Sequence, residues 1–157
     1  MVAIQAVSAQ DLPEILALQK LAYRSEAEIY GDYTIPPLTQ TLSSLMEDFG
    51  CQSMLKAVKD DRIIGTVRAY EKDGTCHIGR LAVHPERQGH GIGTMLMAAI
   101  ETRFTTAKQY ELFTGHRSIR NLHLYRKLGY RPFRTESIHH GLALIYLEKR
   151  STNPGSQ

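Results

Sequence analysis

The chain has no apolar run approaching the ~20 residues that a membrane-spanning helix needs. Its first residues, Met1 to Gln5, lack the basic and long apolar segments of a secretory leader. Cysteine is scarce: Cys51 and Cys76 stand apart without C-x-x-C spacing. That excludes a disulfide scaffold and predicts reduced thiols in a cytoplasmic protein. No Gly-Lys-Ser or Gly-Lys-Thr occurs, so there is no P-loop. The 7 histidines form no H-x-x-x-H pair and no mixed Cys/His set, so no metal site is expected. Charge of one sign is weak as well: 19 Lys and Arg against 16 Asp and Glu leave a net +3. That is too mild to indicate nucleic acid, and part of it suits an anionic cofactor. With 157 residues, 42% of them hydrophobic, the chain can bury a core without staples. It has no repeat, low-complexity block or internal linker. One domain is expected over residues 1–150, followed by a flexible polar tail at residues 151–157.

What is present alternates between strand-like and helix-like segments. Val2 to Val7 reads as a strand, and Ser8-x-x-Asp11 resembles a capping box ahead of the stripe Leu12, Ile15, Leu18 and Ala22. Pro13 falls in the first turn, where its missing N–H costs little. Glu26 to Leu38, with Gly31, Pro36 and Pro37, is expected to be a loop, and Thr39 to Phe49 a second, shorter helix. Met54 to Val58, Ile63 to Tyr70 and Cys76 to Val83 read as strands, turning at Asp60-Asp61 and Asp73-Gly74. Ile92, Met95, Leu96, Ala99 and Ile100 repeat at helical spacing. Tyr110 to Thr114 is strand-like, and Ser118 and Gly129 bracket a helix over Ile119 to Leu128. Arg131 to Ile138 and Leu142 to Glu148 make a last pair of strands around His139-His140-Gly141. The order β-α-α-β-β-β-α-β-α-β-β predicts a mixed α/β (α+β) sheet with helices on both faces.

Arg80 to Leu96 is the most informative stretch: an apolar strand enters a glycine-rich turn that opens directly into a helix. Gly89, Gly91 and Gly93 leave the backbone bare there. The first turn of a helix carries unpaired N–H donors and partial positive charge, so phosphate oxygens suit it. The spacing Gly89-x-Gly91-x-Gly93 misses the G-x-G-x-x-G dinucleotide fingerprint by one residue. Glu111 falls near the place of that motif's acidic residue, but it would open the next strand rather than close it. The dinucleotide reading is rejected.

Gln88-x-x-Gly91-x-Gly93 instead resembles the Q/R-x-x-G-x-G/A signature of the GNAT superfamily of acetyl-CoA-dependent N-acetyltransferases. Leu81-Ala82-Val83-His84-Pro85 resembles that family's fourth strand and its exit. Asn121-Leu-His-Leu-Tyr125-Arg-Lys-Leu-Gly129-Tyr130 resembles its second motif, and the element order also agrees, so the resemblance spans residues 2 to 149. It implies the acyl-CoA N-acyltransferase fold: a mostly antiparallel twisted sheet of seven strands whose fourth and fifth members are parallel and splay apart. Acetyl-CoA, the implied co-substrate, lies in that wedge. The backbone of Leu81, Ala82 and Val83 would then pair with pantetheine, with Val83 N–H as oxyanion donor. The backbone of Gln88, Gly89, His90, Gly91, Ile92, Gly93 and Thr94 would hold the pyrophosphate. Asn121 would contact the cofactor, and Tyr125 would occupy the general-acid position. From the residues alone, Tyr125 also reads as a packing residue and Asn121 as an ordinary helix polar.

The chemistry implied has two demands. An alkylammonium has a pKa of ~10.4, so about one molecule in 10³ is a free amine at pH 7. The departing thiolate also needs a proton, which a phenol of pKa ~10 can give without being ionised at rest. No Cys, Ser or Thr nucleophile is required, because the amine can attack the thioester directly. Many family members carry a Glu on the fourth strand, but Thr75-Cys76-His77-Ile78-Gly79-Arg80 has no carboxylate. His77 stands near that place, in phase with Gly79, Leu81 and Val83. Its rivals as base are His116, or Glu26, Glu28 and Asp32 acting through water; a lone strand histidine is also commonly structural.

For the acceptor, Glu28, Tyr30 and Tyr33 are the expected contacts, since carboxylates attract an ammonium and aromatic faces hold it. Small amines, amino acids, antibiotics and peptide or protein amines all remain open. Neither nucleic acid nor membrane is an expected partner. A homodimer is compatible with the resemblance, although no segment marks an interface. Two competing readings stand beside the enzyme: a non-catalytic acyl-CoA-binding module, kept alive by the missing strand carboxylate, and an acyltransferase using oxygen acceptors or longer chains.

Overall fold

The computed structural model describes residues 1–151, so the expected tail beyond Ser151 lies outside the described residues. Ala3–Ala6 (β1), Ser53–Lys59 (β2), Arg62–Lys72 (β3), Thr75–Val83 (β4), Gln109–Gly115 (β5), Arg131–His139 (β6) and Leu142–Arg150 (β7) form one sheet. Its order is β1-β2-β3-β4-β5-β7-β6, and every pair is antiparallel except β4 and β5. The helices are Leu12–Tyr30 (α1), Pro36–Thr39 (α2), Leu42–Cys51 (α3), Ile92–Thr102 (α4) and Ile119–Lys127 (α5). The mixed α/β class, the seven strands and the parallel pair are as expected.

Side-chain alternation along β2 divides the interior in two. Leu55 and Ala57 pack with Leu96, Met97 and Ile100 of α4, whereas Met54 packs with Leu12, Ile15 and Leu18 of α1 and Leu45 of α3. Helices therefore cover both faces of the sheet.

Between α1 and α3 the sequence expectation needs correcting. α1 does not give way to a loop at Glu26 but runs on to Tyr30. Glu26-Ala-Glu-Ile-Tyr contains no breaker, and burial of Ala27 and Tyr30 rewards the extra turn. Gly31 ends it in the left-handed conformation at φ +61°, its N–H bonding Ala27 O. Pro36 and Pro37 then open the single turn of α2, where their missing N–H groups would have been unpaired anyway. The next helix starts at Leu42 rather than Thr39, because the Thr41 hydroxyl caps it by accepting from Ser44 N–H at 3.1 Å.

Two features of β4 prepare the site. Its pairing with β5 stops at His77↔Glu111, after which the two strands part. Opposite β3, Arg68 aligns with Gly79 and Thr66 with Ala82, so β4 carries one extra residue. Within this bulge Arg80 adopts φ +52°. Gln40 holds it there: its Oε1 accepts from Arg80 Nη1 and Arg68 Nη2, each at 3.1 Å, and from Gln19 Nε2 at 3.0 Å. A strained non-glycine backbone persists only where its surroundings enforce it in this way.

Candidate active site

Where β4 and β5 separate, a cleft of about 520 Å³ opens. Its walls are Leu81, Ala82 and Val83 of β4, the glycine loop, one face of α5 and the inner face of α1. Gly89 and Gly91 sit at φ +83° and +81°, a region L-residues with side chains rarely adopt. Gly91 precedes α4, and a Cβ built on it meets nothing within 4 Å, so the space before the helix is open. The first helical bond runs from Met95 N–H to Gly91 O, which leaves the N–H groups of Ile92, Gly93 and Thr94 without helical acceptors beside the cleft. Gln88 braces the loop: its Nε2 donates to Val83 O at 3.2 Å, and its Oε1 accepts from Arg120 Nη1. Arg120, through this bond, and Arg87, next to Gln88 on the chain, make this end of the cleft cationic, and Lys127 also lines the cleft.

The other end is built from α1 and α5. Tyr23 donates its hydroxyl proton to Leu81 O at 3.0 Å, and burial pushes its pKa up to about 12. Sequence reasoning missed Tyr23, since the helical stripe beside it reads as plain core. Glu26 also faces the cleft; its Oε2 accepts from Ser118 Oγ at 2.7 Å and its Oε1 from Asn121 Nδ2 at 2.8 Å. Tyr125 lies behind this wall, 6% exposed, with its ring edge-on to Tyr130 at 6.2 Å between centroids. Its hydroxyl has no hydrogen-bond partner among the described residues, yet it is not sealed from solvent. Burial first, then the nearby Tyr23 and Glu26, hold its pKa far above the usual phenol range. At neutral pH it is a neutral proton donor.

The structure brings Leu81, Ala82, Val83, Gln88, Gly89, Gly91, Ile92, Gly93, Thr94 and Asn121 to this one cleft. His90 is exposed and outside the lining. His77 also lies outside it, stacked on Tyr70 at 5.0 Å and 21°. His116 joins β5 to β7, its Nδ1 accepting from Ala143 N–H at 3.0 Å. Asp32 Oδ2 binds His139 Nε2 at 2.9 Å, which ties the turn after α1 to the β6–β7 hairpin. The longer α1 explains the remaining placements. Glu26 and Tyr30, four residues apart, face inward, while Glu28 is exposed and outside the lining, as is Tyr33 beyond the helix.

Tyr30 serves the site from behind. Its hydroxyl lies 2.6 Å from Ser118 Oγ and accepts from Arg117 N–H at 3.0 Å. A Cβ on Gly115 would fall 1.9 Å from that hydroxyl, so the position has to be glycine. Gly115→Ala is expected to destabilise the fold by about 1–3 kcal/mol, because Tyr30 cannot move without giving up both bonds. Chemical denaturation measures this; an unchanged midpoint and slope would contradict it.

A family model described as the acetyltransferase (GNAT) family matches residues 12–130. The UPF0157 protein YqkA of Bacillus subtilis is 30% identical over 132 residues, covering 83% of this chain but 38% of that protein, so the chain spans little more than a third of its relative. Among solved structures, the PaiA N-acetyltransferase of Thermoplasma acidophilum in complex with coenzyme A aligns with TM-score 0.80 at 16% identity, covering 96% of this chain and 99% of that one. The IAA acetyltransferase of Bacillus cereus aligns with TM-score 0.71 at 24% identity, covering 96% and 100%. The ribosomal-protein-alanine N-acetyltransferase of Brucella melitensis gives 0.75 at 18% identity, covering 95% and 99%. These likenesses extend the fold over nearly the whole chain, and with the family match spanning most of it, the chain belongs to the acetyltransferase (GNAT) family.

Proposed function

We propose that this protein is an N-acetyltransferase that moves an acetyl group directly from acetyl-CoA to a primary amine. One observation carries the reading. A single cleft combines an unpaired strand edge with an open glycine loop at a helix start, and a neutral buried phenol, Tyr125, stands in the wall behind it.

The residues present fit the co-substrate. The N–H groups around Gly91 and the cations Arg87 and Arg120 suit a pyrophosphate. The space before Gly91, which no Cβ contact closes, leaves room for it. Leu81, Ala82, Val83 and Leu124 offer an apolar course along β4 for a pantetheine arm. The binding of coenzyme A by the PaiA enzyme of similar fold adds support. Acetyl-CoA supplies an activated thioester. The chain's part is to hold it, to face its carbonyl with Val83 N–H and to protonate the leaving sulfur from Tyr125. Free Cys51 and Cys76 support a cytoplasmic setting.

Calorimetric titration with acetyl-CoA tests the binding half of this reading. One site per chain is expected, and the absence of both heat and thermal stabilisation would defeat it.

A further inference from the structure

Direct transfer to an amine requires a group that takes the amine's proton, and β4 carries no carboxylate. We infer that Glu26 of α1 is this group: it receives the acceptor's ammonium at the inner end of the cleft and takes its proton. The inference rests on the N-acetyltransferase reading and names the residue that completes it.

Glu26 is the one carboxylate among the described residues that line the cleft. No Lys, Arg or His nitrogen of the described residues pairs with it within 4.0 Å. Each oxygen instead takes a neutral hydrogen bond, from Ser118 Oγ at 2.7 Å and from Asn121 Nδ2 at 2.8 Å. An ionised carboxylate has about four acceptor positions, so both oxygens keep room for an incoming N–H. The support behind it is directional. Tyr30 Oη already accepts from Arg117 N–H, and Ser118 gives its one proton to Glu26, so Tyr30 is the donor to Ser118 at 2.6 Å. Every group in this chain donates toward Glu26, so both its oxygens are held as acceptors facing the cleft.

A half-buried charge without a counter-ion is costly. Here the missing partner has the chemistry of an alkylammonium. Arg120 is held to Gln88 of the glycine loop and Arg87 adjoins it on the chain, which leaves Glu26 as the single carboxylate among the described residues lining a cleft otherwise supplied with cations. The titratable and charged groups around Glu26 are Tyr23 and Tyr30 on α1, Arg80 on β4 across Tyr23, and Tyr125 and His123 on α5, with Arg117 behind Tyr30. Glu26 lies close enough to Tyr125 to help keep that phenol protonated.

The step balances as follows. An ammonium N–H bond breaks and its proton passes to Glu26. The freed lone pair forms the C–N bond at the thioester carbonyl, and the C–S bond breaks with its electrons on sulfur. The thiolate takes the Tyr125 proton, and the phenolate recovers one from the new amide nitrogen. Amide and CoA thiol leave, and Glu26 returns its proton to water.

Glu26→Gln keeps the shape and removes the charge. The test is kcat/KM for an alkylamine acceptor from pH 6.5 to 9.5, with acetyl-CoA affinity measured by calorimetry on the same samples. Wild type is expected to be flat across this range, because the ammonium that Glu26 is inferred to receive predominates throughout. The variant, reacting only with free amine, is expected to be at least about 100-fold slower at pH 7. Its deficit should narrow about tenfold per pH unit toward the amine's pKa of ~10.4, with acetyl-CoA affinity retained. Glu26→Asp should restore part of the flat profile. A rate equal to wild type overturns the inference, as does a deficit that is constant with pH or explained by lost acetyl-CoA binding. A wild type that acetylates no amine defeats the N-acetyltransferase reading itself, whereas turnover indifferent to Glu26→Gln removes Glu26 alone.

Discussion

Tyr125→Phe is expected to lower kcat for acetyl transfer by about 10²–10³-fold while leaving acetyl-CoA affinity nearly unchanged. The phenylalanine keeps the ring against Tyr130 and within the cluster that includes Leu122. Only the hydroxyl is lost, and that hydroxyl has no hydrogen-bond partner among the described residues, so the fold loses little. What disappears is a proton held ready at neutral pH, because burial keeps the phenol from ionising. Thiol release at saturating acetyl-CoA and acceptor measures the effect. A kcat within about threefold of wild type would show that the thiolate leaves without help from Tyr125.

The second large effect is expected at the glycine loop. Gly91→Glu should weaken acetyl-CoA binding by more than about 100-fold. The site holds φ +81°, so any L-side chain there carries ~1–2 kcal/mol of backbone strain. The added carboxylate also enters the open space in front of α4, where phosphate charge is proposed to sit. Gly91→Ala separates the two causes. It should show the strain alone, about 1–2 kcal/mol of lost folding stability with Kd little changed, since free and bound protein both carry it. Calorimetry on the folded variants reads both, and a Gly91→Glu protein that binds acetyl-CoA normally would refute the cradle.

Legibility in the sequence followed locality. Gln88, Gly91 and Gly93 are close neighbours along the chain, and the positive φ of Gly89 and Gly91 and the helix start that follows are local events, so the pattern pointed to the loop directly. The Asn121 to Tyr130 segment was legible for the same reason. Gly31, Pro36 and Pro37 misled because breakers mark where the chain turns but not whether the turns between them are helical. Burial of Ala27 and Tyr30 decides that, and burial belongs to the folded whole.

The same limit hid how the inner end of the cleft is assembled, although Glu26 itself was among the candidate bases. Tyr23 reaches Leu81 across 58 residues and Glu26 reaches Asn121 across 95, so no spacing rule links them. His77 had the right phase on its strand, but its ring is taken up by Tyr70, which lies opposite it on β3. Alternation along β4 tells which face a side chain takes, and not what already occupies that face.

The central claim is tested most directly by CoA thiol release from acetyl-CoA by the wild-type protein at pH 8, across a panel of small amines, amino acids and peptides. The expected result is release that depends on the acceptor, with one acetylated amine formed per thiol. Silence across the panel from a protein that binds acetyl-CoA tightly would contradict it and leave a binding module in place of an enzyme.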